Sequence, residues 1–258
     1  MSSSGAEVVS SGVRPGQQNP ADGSPLGELR WSTAAEVTAA IEKARAAQPG
    51  WAELSLDARA GKALLLARRI VERRAEIAKI LSEETGRSLT ECLMSEVVTG
   101  VGYAKGAIRA GRAALAPEKI KLSALEYPGK KVVVEAVPRG VIGIIAPWNY
   151  PLGNFMKSLY PALLSGNGVV LKPSEHTPRA GAWLAALCNE VFPPGLVQIV
   201  QGDGAIGQAL LAGGVDGIVF TGSVATGKKV SVAAAPGRSE RSRHSAPSTT
   251  PRSTSECT

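Results

Sequence analysis

Four short apolar runs, each followed by a helix-length segment, constrain this chain more than any other feature. They fall near 141–146, 168–172, 197–200 and 217–220, with helical patterns at about 152–165, 178–191, 204–212 and 224–234. The first run, Val141-Ile142-Gly143-Ile144-Ile145-Ala146, is too uniformly apolar for a strand with one wet face and reads as buried on both faces. Repeated βα units of this length predict an α/β fold, a parallel, doubly wound, Rossmann-like sheet. In such sheets ligands bind outside the carboxyl ends of the strands. The residues that follow each run are therefore the candidates for chemistry.

The first run ends at Pro147-Trp148-Asn149-Tyr150-Pro151. Pro147 cannot continue the strand ladder, so the strand stops abruptly and leaves Trp148 and Asn149 at its end. The Asn149 amide is of the type that donates to a developing oxyanion; a Pro-bracketed turn that merely caps a helix is the alternative. The second run delivers Lys172-Pro173-Ser174-Glu175. A carboxylate there accepts both hydroxyls of an adenosine ribose and repels a 2′-phosphate. A solvated loop with Glu175 serving the next helix N-terminus is the plainer reading. Gly202-Asp203-Gly204 after the third run leaves room for a flat ring, or is a simple turn. Phe220-Thr221-Gly222-Ser223 follows the fourth, with Gly227 four residues beyond. A Gly-rich turn opening a helix offers free N–H groups to a diphosphate, although the spacing is not G-x-G-x-x-G.

Upstream the pattern is helical. Asn19 to Pro25 is a turn cluster, and Ser32 or Thr33 caps a helix to about Gln48, with Glu36 placed for a capping box. Asp57 is expected to cap the longest helix, which ends near Gly86 and carries Ala63, Ala67, Ile70, Ile77 and Leu81 on one face. A third helix is expected over Leu89 to Leu115, and the three together as an outer layer over the sheet. Lys131 to Val137 reads as a separate strand. Residues 1–18 are Ser-, Gly- and Gln-rich with no apolar signal core and are expected to form a disordered tail, leaving 19–235 as the folded unit. Residues 236–258 hold no hydrophobic residue larger than Ala except Cys257 and are likewise expected to be disordered.

A net charge of +7, from 29 basic and 22 acidic residues, raises the question of nucleic acid. Most of the basic residues sit beside acidic ones on helical stretches. The eleven aromatics form no run interleaved with cations, so no nucleic-acid partner is expected. No apolar stretch is long enough to span a bilayer, so no membrane partner is expected. Cys92, Cys188 and Cys257 are odd in number and far apart, which suggests a reducing compartment, a cytoplasmic location and no metal framework.

Taken in order, the four strand ends resemble those of the NAD(P)-dependent aldehyde dehydrogenase superfamily, from about Asn19 to Ala235. Ala44-Arg45-Ala46-Ala47-Gln48 with Trp51, and Glu84-Thr85-Gly86, resemble its N-terminal helices. The resemblance implies that Asn149 is the oxyanion donor, with Ile145, Pro147 and Trp148 beside the cofactor. It implies that Lys172, Ser174 and Glu175 hold the adenosine ribose, with Glu175 favouring NAD over NADP, and that Gly204 flanks the adenine. Phe220, Gly222 and Ser223 match the pyrophosphate turn, with Thr226 on its helix. Residues 121–139 resemble part of the extension through which this homo-oligomeric family assembles.

The family oxidises a small-molecule aldehyde to an acid. A cysteine thiolate attacks the carbonyl, the thiohemiacetal passes hydride to the nicotinamide, and water cleaves the thioester with a glutamate as base. That glutamate lies in a Leu-Glu-Leu-Gly-Gly stretch, where this sequence has Pro236 to Thr258. Cys92 and Cys188 read as buried small hydrophobes, and Cys257 lacks the surrounding motif. His176 and His244 have no partner that suggests a catalytic pair. The expectation is an aldehyde dehydrogenase family chain that is inactive alone, lacking nucleophile and base. The alternatives are a non-catalytic NAD-binding module or partner of a full-length subunit, or a chain that does not fold stably. The tail also fits an out-of-frame reading: shifted by one base, Thr249 to Cys257 can spell Asp-Ala-Ala-Leu-Asp-Val-Arg-Val, an acidic segment like the family's.

Overall fold

A computed structural model of the chain describes residues 13–14, 17–123 and 125–244. Strands β5 (Val141–Ile145), β6 (Gly168–Lys172), β7 (Val197–Ile199) and β8 (Gly217–Phe220) form one parallel sheet in the order β7-β6-β5-β8. Val141 pairs with Gly168 and Ile145 with Lys172 on one side of β5, while Ile145 pairs with Phe220 on the other. The chain steps outward from β5 to β6 to β7 and then returns to the far side of β5. The strand order thus reverses between β5 and β8, and such a switch point opens a crevice at the carboxyl ends.

Helices lie on both faces. Alternate strand residues Ile142, Ile144, Val169 and Leu171 pack with α6 (Pro151–Leu164) and α7 (Pro178–Val191). Val141 and Val170 face the other way, toward α1 (Ala34–Ala52) and α8 (Gly204–Ala212). The first face is covered further by α2 (Leu56–Glu72), α3 (Arg74–Thr85) and a long helical segment. That segment runs through α4 (Leu89–Cys92), a π-helical turn (Leu93–Val98) and α5 (Thr99–Ala114). Gly168 lets α1 sit directly on β6, since a Cβ there would lie 2.8 Å from the Ala44 carbonyl oxygen. Trp51, at the end of α1, packs edge-on against Phe192 and donates from Nε1 to the Leu163 carbonyl at 2.8 Å.

The four sheet strands and the helices between them lie within a residue or two of expectation, and the capping box of α1 is formed by Thr33 and Glu36. Other expectations change. Ser55 caps α2, whereas Asp57 sits inside its first turn and pairs with Arg112 at 2.6 Å. The long helix breaks at Arg73, whose guanidinium reaches Glu190 on α7 with two bonds of 2.7 and 2.8 Å. Gly86 ends α3 in the left-handed conformation that suits glycine. The third helix is contiguous in sequence but interrupted by the π turn.

Within the expected N-terminal tail, β1 (Val13–Arg14) pairs with β2 (Leu29–Arg30). The expected strand at 131–137 is the shorter β4 (Val132–Val134), paired with β3 (Glu118–Ile120) in an exposed two-stranded ribbon. At the other end α9 (Val224–His244) continues past Pro236, where disorder was expected. The disorder reading weighs burial, whereas a helix satisfies its backbone from within, and this one continues despite Pro236 and Gly237. The rest of the expected tail, 245–258, lies outside the described residues. No helix among the described residues is long and apolar enough to cross a membrane.

Candidate functional site

The residues singled out from sequence converge at the carboxyl edge of the sheet. Thr221 N donates to the Ile145 carbonyl at 3.1 Å, and Ala146 N donates to that of Lys172 at 3.2 Å. These bonds tie the turns after β8 and β6 to the turn after β5. At the switch point, Pro147, Trp148, Asn149, Tyr150 and Asn154 face Thr221, Gly222 and Ser223 across a cleft of about 390 Å³.

Asn149 Oδ1 accepts from its neighbour's N–H (Tyr150) at 3.0 Å and from Asn154 Nδ2 at 3.3 Å. Its oxygen is thereby occupied, and Nδ2 is left as a donor without a partner among the described residues. Trp148, 57% exposed, forms an open wall beside it. On the facing side Phe220 folds back under the turn: a Cβ on Gly222 would lie 2.5 Å from the ring, so a side chain there would require the ring to shift. Ser223 Oγ caps α9 by accepting from Thr226 N at 3.2 Å, and it lies 2.9 Å from Thr226 Oγ1. The preceding turn keeps exposed backbone beside a helix N-terminus with no acidic residue in its first turn.

Lys172 is buried at the end of β6, and its Nζ donates to the Pro173 carbonyl at 2.8 Å. The Glu175 carboxylate lies 4.0 Å away with its side chain 39% exposed, presented to solvent beside the ammonium. Burial lowers the Lys172 pKa, while Glu175 and Asp203 pull it back up. Gly207 of α8 and Ile145 lie along the lysine stem, with a Cβ on Gly207 reaching ordinary contact distance from both. Ser174 is half-buried and its Oγ accepts from His176 N at 3.3 Å; His176 itself is exposed. Gly204 opens α8, with nothing within 4 Å of where a Cβ would stand, and Asp203 caps that helix through Ala205 N at 2.9 Å. Gly202 has φ +144, a conformation that requires glycine.

Cys92 and Cys188 are buried, and burial raises both thiol pKa values, so neither offers an accessible thiolate.

Several residues around the site carry no local sequence signal. Glu96, on the π turn, is fully buried and accepts from the N–H groups of Leu152 and Gly153 at the start of α6. Arg87 bonds Glu96 and lies over the Tyr150 ring, 4.7 Å from its centroid. Glu84 accepts from Arg179 N and Ala180 N at the start of α7. Burial pushes Glu84 up to about 7 and raises Glu96, against the pull of the N–H groups. The only hint in sequence is that Glu96 stands on the same stripe as Cys92, Gly100 and Ala104, where a charge is out of place.

Comparison with known proteins gives a consistent result. The sequence profile of the aldehyde dehydrogenase family matches residues 12–243. The N-succinylglutamate 5-semialdehyde dehydrogenase of Chromobacterium violaceum is 37% identical over 225 residues, covering 86% of this chain and 45% of the relative. PnpE from Pseudomonas sp. WBC-3, whose structure has been solved with nicotinamide adenine dinucleotide, superposes with a TM-score of 0.81 at 33% identity. That match covers 88% of this chain and 46% of PnpE. An Escherichia coli NADP-dependent enzyme superposes with a TM-score of 0.80 at 29% identity, covering 86% and 46%. The chain thus spans about half the length of the relatives it matches.

Proposed function

Because the chain belongs to the aldehyde dehydrogenase family, we propose that residues 19–235 form the NAD-binding unit of an enzyme that oxidises an aldehyde to a carboxylic acid. The observation that carries this reading is the switch-point cleft, where an unpartnered amide donor faces a Gly-turn at a helix N-terminus. The residues present fit a dinucleotide. Thr221-Gly222-Ser223 offers exposed backbone and a positive helix end to the diphosphate. Trp148 and Pro147 wall the nicotinamide side, and Asn149 Nδ2 is held ready to donate to an oxygen that gains negative charge. Lys172 and Glu175 stand where an adenosine ribose is met, and Gly204 leaves space for the adenine. Once bound, the nicotinamide accepts hydride.

The preference for NAD over NADP follows from Glu175. Its exposed carboxylate accepts ribose hydroxyls and repels a 2′-phosphate, while the neighbouring Lys172 ammonium is already engaged with the Pro173 carbonyl. The chain alone does not turn over. The two described cysteines are buried with raised pKa values, and Cys257 lacks the motif that surrounds the family's nucleophile.

Calorimetric titration of the full 258-residue chain is expected to detect NAD binding and much weaker NADP binding. Glu175→Ala is expected to weaken NAD by about tenfold or more, the loss of charge-assisted bonds to two hydroxyls, and to narrow the gap to NADP. A cooperatively folded chain with no affinity for NAD would overturn the reading. Aldehyde-dependent NADH production by the purified chain would refute the claim that it is inactive alone.

A further inference from the structure

Helices α6 and α7 share an uncommon start. Each opens with proline, Pro151 or Pro178, and neither N-cap residue, Tyr150 or Thr177, makes a side-chain cap. A helix start leaves free N–H groups that must be met where they are buried. Here they are met from the outer helical layer. Glu96 Oε2 accepts from Leu152 N at 2.8 Å and Gly153 N at 3.1 Å. Glu84 takes one N–H on each oxygen, Arg179 at 2.7 Å and Ala180 at 2.9 Å.

Burying a carboxylate is costly, and a local cap satisfies a helix start more cheaply, as Asp203 does for α8. What a remote carboxylate adds is position. It ties the turn in front of the helix to a separate rigid layer. The tie to α6 is reinforced, because Arg87 both bonds Glu96 and covers Tyr150, the residue next to Asn149. Glu96 sits in the π turn, where the helix departs from its regular period to present it.

We propose that Glu96 and Glu84 are positioning residues for the two ligand turns. Glu96 fixes the turn that carries Trp148 and Asn149, and Glu84 fixes the turn that carries Lys172 and Glu175. The arrangement also steers an anion. Carboxyl groups accept from the N–H groups at the starts of α6, α7 and α8, whereas α9 is capped by the Ser223 hydroxyl and has no acidic residue in its first turn. Among these βα helices the positive end left for a diphosphate is that of α9.

The proposal rests on the reading of these turns as dinucleotide-binding, so its test needs one readout without ligand. The full chain is labelled with 5-fluorotryptophan, and the Trp148 fluorine resonance is assigned with Trp148→Phe. Glu96→Ala is expected to shift, broaden or double that line while leaving AMP affinity within about twofold of wild type. Glu84→Ala is expected to leave the Trp148 line unchanged, weaken AMP by about tenfold, and move the ligand-free amide resonances of Ser174 and Glu175. Conservative variants separate the two sites. Glu96→Gln retains an oxygen that serves both N–H groups but loses the Arg87 bond on the other oxygen, and should displace the Trp148 line less than Glu96→Ala does. Glu84→Gln must leave one N–H unmet and should not rescue.

These isosteric variants serve if an alanine variant fails to fold. A fall in melting temperature with the Trp148 line and the Ser174 and Glu175 resonances all unmoved would reduce both carboxylates to fold stabilisers and overturn the proposal. If the wild type binds no AMP, the dinucleotide reading fails, and the ligand-free resonances still decide whether the glutamates position the turns.

Discussion

Glu84 gives a pH dependence whose sign and size follow from its surroundings. Its carboxyl is buried between α3 and α7, against the N–H groups of Arg179 and Ala180, the Arg179 charge and the like charge of Glu83. Burial dominates and pushes it up to about 7, from an ordinary value of 4.5. Between those values the folded chain holds a proton that the unfolded chain has released. The stabilisation is therefore complete at low pH and is lost as pH rises through 7. At about 1.4 kcal/mol per pH unit while the difference is full, Glu84 should withdraw roughly 2 to 3 kcal/mol of stability between pH 5 and 8. Glu84→Gln removes the titration and also leaves one α7 N–H facing an amide NH₂, a cost of about 1–3 kcal/mol present at every pH. The assay is urea unfolding of wild type and variant at pH 5, 6, 7 and 8. The wild type should be the more stable at pH 5, with its margin shrinking by roughly 2 to 3 kcal/mol by pH 8. Glu96 is raised in the same direction, but it is present in both proteins and cancels. Parallel stability curves would refute the reasoning, because a carboxyl held at or below 4.5 by its two donors does not titrate across this range.

Two further predictions concern the frame that carries the site. Gly168→Ala places a methyl 2.8 Å from the Ala44 carbonyl oxygen, a backbone atom that cannot swing aside; α1 must lift from the sheet, at a cost of about 1–3 kcal/mol, and an unchanged urea midpoint would contradict the close approach. Trp51→Phe removes the indole bond to Leu163 at 2.8 Å and trims a fully buried side chain that meets Phe192 edge-on; unfolding should ease by about 2–3 kcal/mol, and an unchanged urea midpoint would contradict this.

What the sequence made legible was local in the chain. A strand buried on both faces must be continuously apolar, so β5 and β6 stand out, and covalent order alone puts Trp148, Asn149, Lys172 and Glu175 at their ends. The capping box of α1 spans three residues and is read as easily. Nothing local marks the break at Arg73, and the Glu190 that its guanidinium pairs with lies 117 residues away on another helix. Ribbon strands of two or three residues, such as β1 and β3, are too short to show a period. The supports of the site were the least legible, since Glu96 is 56 residues from Leu152 and Glu84 is 96 from Ala180. This division has a physical cause. Groups that meet a ligand must stand at a strand end, and the strand announces them. The turns after β5 and β6 are held instead by carboxyl groups of the outer helical layer, which is distant in sequence. A buried carboxylate on an apolar helix stripe, upstream of a helix that begins with proline and lacks its own cap, is therefore the trace that such a support leaves in the chain.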